Sequence, residues 1–272
     1  MSVDANARTD LVLLEENDEY NVITLNRPEK RNAMNEAAQA QLKTALLTSK
    51  GKKVVIITGV EKSFCAGVDI VELRERGGES RGRAYSQDLA SWGEVHDIIK
   101  RHPAICIAAV NGFALGGGST LVNNCELAVA AESAEIGTPE IGFGTWPGYA
   151  GPAMIKRLLP KHAAEIIFNA KRVDAATAFR MGLVNEVVPD DQLMTRAREI
   201  AEHICTFDGV LLDWAKRGYR TMLELSWDDA QAYSGHVGRG AAASGSAGSR
   251  DRVGAFAQGV RGSGQGANPQ PS

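Results

Sequence analysis

Apolar and polar positions fall into alternating blocks along the chain, short β-like runs giving way to stretches of helical periodicity. Leu11 to Glu15 and Asn21 to Leu25 flank the polar Asn17-Asp18-Glu19 and predict a β-hairpin. From Asn35 to Ser49 the apolar residues Ala38, Leu42, Ala45 and Leu46 recur on one face, and Gly51 supplies a stop, so a helix is predicted there. Val54 to Thr58 is a β-branched apolar run ending at Gly59, suited to a strand buried on both faces. Ile105 to Val110, closed by Asn111-Gly112, has the same character, and Glu126 to Ala131 is a third such run. Farther on, Leu193, Ala197, Ile200 and Ile204 share a helical face after Pro189, with Asp190 or Asp191 as the expected cap.

This succession of strand, strand and helix predicts an α/β fold, and no short-period repeat of the solenoid kind is present. The domain organisation expected is a flexible N-terminus over 1–10, an α/β core over 11–190, a helical C-terminal region over 191–234 and a flexible tail over 235–272. The tail follows from composition, since ten of its 38 residues are Gly. A short helix around Arg250 to Gln258 would have to overcome Gly245, Gly248, Gly254 and Gly259, each costing about 1 kcal/mol relative to Ala.

Composition narrows the function classes. With 272 residues and 44% hydrophobic content the chain can bury a large core. Thirty Lys and Arg against 33 Asp and Glu give a net charge of −3, which offers no electrostatic footprint for nucleic acid. Cys65, Cys106, Cys125 and Cys205 form no C-x-x-C pair, and the five histidines lack paired ligand spacing. We therefore expect no metal site, no disulfide framework and a reducing, cytoplasmic setting. The first ten residues are polar and no run reaches about 18 apolar residues, so neither a membrane span nor an export signal is expected.

Three segments could carry chemistry. Phe64-Cys65-Ala66-Gly67-Val68-Asp69-Ile70 follows a predicted strand, and its small residues let backbone approach a ligand, although a tight turn into a helix explains them equally well. Asn111 to Thr120 contains Gly116-Gly117-Gly118 between a strand and a helix, leaving backbone N–H groups at the positive end of a helix dipole. It is neither a P-loop nor a dinucleotide fingerprint, and it lacks the G-x-S-x-G of a serine nucleophile. Close helix packing is the plainer use of such glycines. Gly137 to Gly148 holds Glu140 among apolar and glycine neighbours, where burial would raise its pKa toward proton transfer at neutral pH; a solvated turn glutamate is the plainer reading. Tyr85, Trp92 and Tyr219 read as packing residues, and His102 before Pro103 as helix-end punctuation.

Taken in order, these segments resemble the crotonase superfamily, the enoyl-CoA hydratase and isomerase family. The matching text is Leu25-Asn26-Arg27-Pro28 with Asn32-Ala33, Cys65 to Ile70, Ala108 to Gly112, Leu115 to Gly118, Pro139-Glu140 and Met181 to Val184, spread over residues 10 to 230. The resemblance implies a spiral of ββα units with a C-terminal helical region, assembled as a homotrimer or a pair of trimers. It implies a lyase acting on an acyl-CoA thioester, with the thioester oxygen held by the Val68 and Gly117 amides and no cofactor beyond the CoA of the substrate. Arg31, Ala33, Ala66, Asp69 and Ile70 are similar to residues lining the family's CoA pocket, and Gly116 and Trp146 are expected at the substrate. Typical hydratases carry two glutamates; here the first position is Thr120, leaving Glu140 as sole acid/base with Thr120 orienting water. Single-glutamate members include 3-enoyl-CoA isomerases and hydroxycinnamoyl-CoA hydratase-lyases. The chain resembles the latter in the hydroxyl at Thr120 and in Trp146-Pro147-Gly148, but has Leu73 where they carry a tyrosine. The expectation is enoyl-CoA hydration, with 3-enoyl-CoA isomerisation as the alternative and a catalytically weak acyl-CoA-binding protein as the rival of another class.

Overall fold

The structure, a computed structural model, describes residues 10–77 and 81–244; side chains at 73, 74, 76, 77 and 81–89 lie outside the description. The chain divides after Ala201 into two units.

The first unit opens with the hairpin β1 (Val12–Glu16) and β2 (Tyr20–Leu25), registered Val12 to Leu25 and Glu16 to Asn21. Helix α1 (Glu36–Thr48) starts where the Asn35 side chain accepts from the Ala38 amide, and it buries Ala38, Leu42, Ala45 and Leu46 as the periodicity predicts. Then come β3 (Val54–Gly59), β4 (Ser63–Cys65), α2 (Ile70–Gly77) and α3 (Arg81–Arg101). The pattern repeats with β5 (Ile105–Val110), β6 (Phe113–Leu115) and α4 (Gly117–Asn124). It repeats again with β7 (Leu127–Ala131), β8 (Glu135–Gly137), α5 (Ala150–Arg157) and α6 (Pro160–Asn169). β9 (Arg172–Asp174), α7 (Ala175–Met181), β10 (Glu186–Val188) and α8 (Leu193–Cys205) follow.

Each ββα repeat feeds two sheets. The first strands, β3, β5 and β7, lie side by side and parallel in a sheet ordered β1-β2-β3-β5-β7-β10. The second strands, β4, β6 and β8, lie parallel in a smaller sheet ordered β4-β6-β8-β9. Val54 to Ile57 have no solvent exposure, as expected of a strand covered on both faces. The smaller sheet was not legible in the sequence, because three-residue strands are too short to display a period of two.

Two helical expectations need correction. The buried stripe of α8 is Leu193, Ala197 and Ala201, with Ile200 and Ile204 only half-buried. Asp190 does not cap that helix: its carboxylate accepts from the Ser133 amide at 3.0 Å, holding the turn Asp190–Gln192 to the end of β7.

The second unit contains α9 (Gly209–Met222) and α10 (Trp227–Ser244). The boundary expected at Gly235 falls inside α10, so the flexible tail does not begin there. Ala241, Ala242 and Ala243 favour the helix, and glycine serves packing: a side chain at Gly240 would strike the Trp214 ring, and one at Gly218 would meet Val237. The possible helix around 250–258, the rest of the tail and residues 1–9 lie outside the described residues.

Candidate active site

Three adjacent parallel strands of the smaller sheet each end in one of the segments singled out by sequence. The carboxyl ends of parallel strands are where α/β sheets collect their chemistry. β4 runs into Ala66-Gly67-Val68, β6 into Gly116-Gly117, and β8 into Thr138-Pro139-Glu140. Register ties them together: Cys65 pairs with Ala114 and Leu115 with Gly137, and the Gly116 amide donates to the Gly137 carbonyl at 2.9 Å.

The first two turns touch. Gly67 has φ +88°, and a methyl group there would stand 3.0 Å from the Gly117 amide nitrogen and 3.0 Å from the Leu115 carbonyl oxygen. Only glycine combines that backbone conformation with that approach. Neither the Val68 nor the Gly117 amide donates a hydrogen bond among the described residues, so two N–H groups stand together without partners, one of them at the amino end of α4.

The glycine triplet is held by three different neighbours. A side chain at Gly116, where φ is +54°, would lie 2.7 Å from Glu140 Oε1; one at Gly117 would strike the Trp92 indole; one at Gly118 would strike the Cys65 carbonyl. Glu140 thus rests directly against the turn that presents Gly117. It lies in the 3₁₀ turn Pro139–Phe143, half-buried, with Oε2 shielded from solvent and without a hydrogen-bond partner. Burial pushes its carboxyl above the ordinary range, and a hydrogen bond from backbone only partly opposes this.

Thr120 is buried on α4, but its hydroxyl donates back to the Gly116 carbonyl at 3.3 Å. The donor is therefore spent within the helix, and only its lone pairs remain for a second partner.

The residues expected to line a CoA pocket come together along the Val68 segment. The Ala66 amide donates to Arg31 O at 3.0 Å, Met34 N to Gly67 O at 2.7 Å, and Asp69 N to Met34 O at 3.1 Å, which aligns 31–34 in parallel with 66–69. Ala33 is buried, Ala66 half-buried, and Arg31 and Ile70 exposed. Asp69 departs from the expectation, because its carboxylate turns inward: Oδ1 accepts from the Val71 and Glu72 amides and caps α2, while Oδ2 accepts from Arg27 at 2.6 Å. Burial alone would raise the Asp69 pKa, but the Glu72 amide and the Arg27 guanidinium outweigh it and hold the carboxyl below its usual value. Trp146 is half-exposed, and its ring edge and Pro147 both stand against Gly151 in the first turn of α5. The Leu73 and Tyr85 side chains lie outside the described residues.

Sequence reasoning missed the brace behind Val68. Arg27 also donates to Ala33 O at 3.0 Å and to Glu72 at 3.1 Å, and Asn35 reaches Glu72 at 2.8 Å. One buried guanidinium therefore fastens both strands of the segment. An arginine beside a proline in a surface-like Asn-Arg-Pro run gave no sign of burial.

The model of the enoyl-CoA hydratase/isomerase family matches residues 15–232. A probable mitochondrial enoyl-CoA hydratase of Dictyostelium discoideum is 38% identical over 210 residues, 75% of this chain and 73% of that protein. A short-chain-enoyl-CoA hydratase of Clostridium acetobutylicum is 34% identical over 227 residues, covering 82% and 85%. Among solved structures, an enoyl-CoA hydratase of Mycobacterium smegmatis superposes with a TM-score of 0.85 at 29% identity, over 92% of this chain and 97% of that one. The chain belongs to the enoyl-CoA hydratase/isomerase family, a family of enzymes.

Proposed function

We propose that the protein is an enoyl-CoA hydratase whose Val68 and Gly117 amides hold the thioester oxygen while Glu140 moves the proton. The observation that carries this reading is the contact between Gly67 and Gly117, with two unpartnered amides beside a carboxylate of raised pKa. When the hydroxyl of water bonds to carbon 3 of the enoyl group, charge develops on the thioester oxygen. Two preorganised donors lower that barrier, each by roughly 3 kcal/mol. The Glu140 carboxylate takes the proton that water gives up and passes it to carbon 2, so one group serves both halves of the addition. Thr120 supplies an acceptor to the water. Arg31, Ala33, Ala66 and Ile70 line the CoA path, Asp69 shapes it from behind, and Gly116 and Trp146 border the acyl group. No cofactor beyond CoA takes part. Assembly as a trimer or pair of trimers is supported by exposed apolar residues on α9 and α10, and a cytoplasmic setting by the free, buried thiol of Cys65.

The lone carboxylate also favours a second reading, isomerisation of 3-enoyl-CoA to 2-enoyl-CoA, which needs one base and no ordered water. The two separate in one assay: with but-2-enoyl-CoA and hex-3-enoyl-CoA offered in parallel, hydration consumes the first, and conversion of the second alone overturns it. Glu140→Gln is expected to lower turnover by about 10²–10⁴ with CoA-ester binding retained; a binding protein would have no turnover to lose.

A further inference from the structure

Beside Gly117, α3 and α4 carry a polar set that the proton-transfer scheme leaves unused. Trp92 and His96 are one helical turn apart on α3 and are 1% and 2% exposed. Their rings meet edge to face with centroids 4.7 Å apart, and Tyr149 packs 5.5 Å from the imidazole. Trp92 Nε1 and its ring edge are what a side chain at Gly117 would collide with, so this N–H belongs to the wall next to an amide of the thioester cradle. Both Trp92 Nε1 and His96 Nε2 are buried without a hydrogen-bond partner. Native interiors hold few such atoms, and two on residues whose rings touch, one of them against Gly117, mark a place where a ligand completes the bonding.

The chemistry of that ligand follows from the donors. His96 Nδ1 lies 3.0 Å from the Asn124 amide nitrogen, which can only donate, so the ring proton sits on Nε2. Burial foremost, with Lys100 adding to it, drives the imidazole pKa down to about 3, and the ring is neutral. Two neutral N–H donors suit an uncharged oxygen with two lone pairs. A carboxylate would be buried without a cation, which is costly.

We infer that Trp92 Nε1 and His96 Nε2 form an oxygen-recognising subsite for the acyl group, so that the preferred substrate is an acyl-CoA carrying an uncharged hydroxyl or keto oxygen on its chain. The inference rests on the placement of the thioester at Val68 and Gly117. Position 117 must remain glycine for the indole to reach this place, so the oxygen lies on the part of the chain close to the thioester.

Calorimetric binding of unreactive saturated thioesters tests the subsite apart from turnover. Butyryl-CoA and hexanoyl-CoA are compared with 4-oxopentanoyl-CoA and 4-oxohexanoyl-CoA, while hydration of but-2-enoyl-CoA is followed on the same preparation. We expect at least tenfold tighter binding of one oxygenated thioester. That preference should fall to near unity in Trp92→Phe and in His96→Leu and be largely restored in His96→Gln, while the affinity for butyryl-CoA stays within threefold of the native value. Equal binding of plain and oxygenated thioesters by the native chain overturns the subsite and leaves the two nitrogens facing trapped water. A preference that survives both variants, or an equal loss for all thioesters, overturns it as well. Hydration without an oxygen preference sinks the subsite alone; an oxygen preference without hydration or isomerisation sinks the proposed reaction and upholds the subsite.

Discussion

Glu140 combines two properties that pull against each other. Its carboxylate is shielded beside the glycine turn, with Oε2 unpartnered, and its pKa is raised because the charged form has lost water. A carboxyl with a raised folded pKa binds its proton more tightly in the folded state. It therefore favours folding below that pKa, and the benefit is lost as pH rises through it. Glu140→Gln is expected to melt at a higher temperature than the native chain at pH 8, by a stability on the order of 1 kcal/mol, with the gap closing toward pH 4. Thermal melts across that range check this, and a gap that widens on acidification contradicts it. Gly67 makes the opposite case, where a single methyl harms both stability and chemistry. Gly67→Ala forces a φ of +88° on a residue with a Cβ and presses 3.0 Å against the Gly117 nitrogen. We expect about 1–3 kcal/mol of destabilisation in urea titrations and a fall in kcat much larger than any change in CoA-ester affinity.

Among the elements, the segment carrying Val68 is the one whose position depends on a buried charge. Arg27 and Asp69 are 10% and 4% exposed at the side chain and 2.6 Å apart. Removing one partner, as in Arg27→Met, should cost about 3–5 kcal/mol, and the double variant Arg27→Met with Asp69→Leu should recover much of it. Denaturant titration of the four-member cycle measures the coupling. Because the Asp69 pKa is depressed in the fold, the stability it contributes is present above its unfolded value near 4 and lost as pH falls through the folded one. The visibility of elements in the sequence followed their length. Ile105 to Val110 was delimited to the residue, and the hairpin strands and α1 to within one, since runs of five or more residues display their period. β4, β6, β8 and β9 are three residues each and display none. The glycine triplet and Glu140 stand out as candidate chemistry from their neighbours, and the structure brings Gly116 and Glu140 against one another. That Asp69 faces inward and that Thr120 is tied to Gly116 depend on partners 42 and four residues away, of which the first leaves no local trace.

At the scale of the molecule, the family tie and the fold agree, and the assembly is the next level of structure. On the C-terminal helices Leu211, Tyr219, Leu223 and Trp227 are exposed, Trp227 at 81%, an apolar load uncommon on an isolated surface. Sedimentation velocity at micromolar concentration is expected to show a species of three or six chains. Trp227→Glu with Leu223→Glu should shift it toward monomer, whereas a monomeric native protein contradicts the proposed assembly. Glycine in α10, read from composition as a sign of disorder, instead makes room for Trp214 of α9 at Gly240, as Gly218 of α9 makes room for Val237 of α10.

The contact between the indole at 92 and the α-carbon at 117 has a consequence for how such a chain can change over generations. A bulkier residue at 117 becomes tolerable only after the ring at 92 has shrunk, and that ring brings with it an N–H donor. The dependence runs one way, so descendants that have exchanged 117 will already have exchanged 92, and with it that N–H donor.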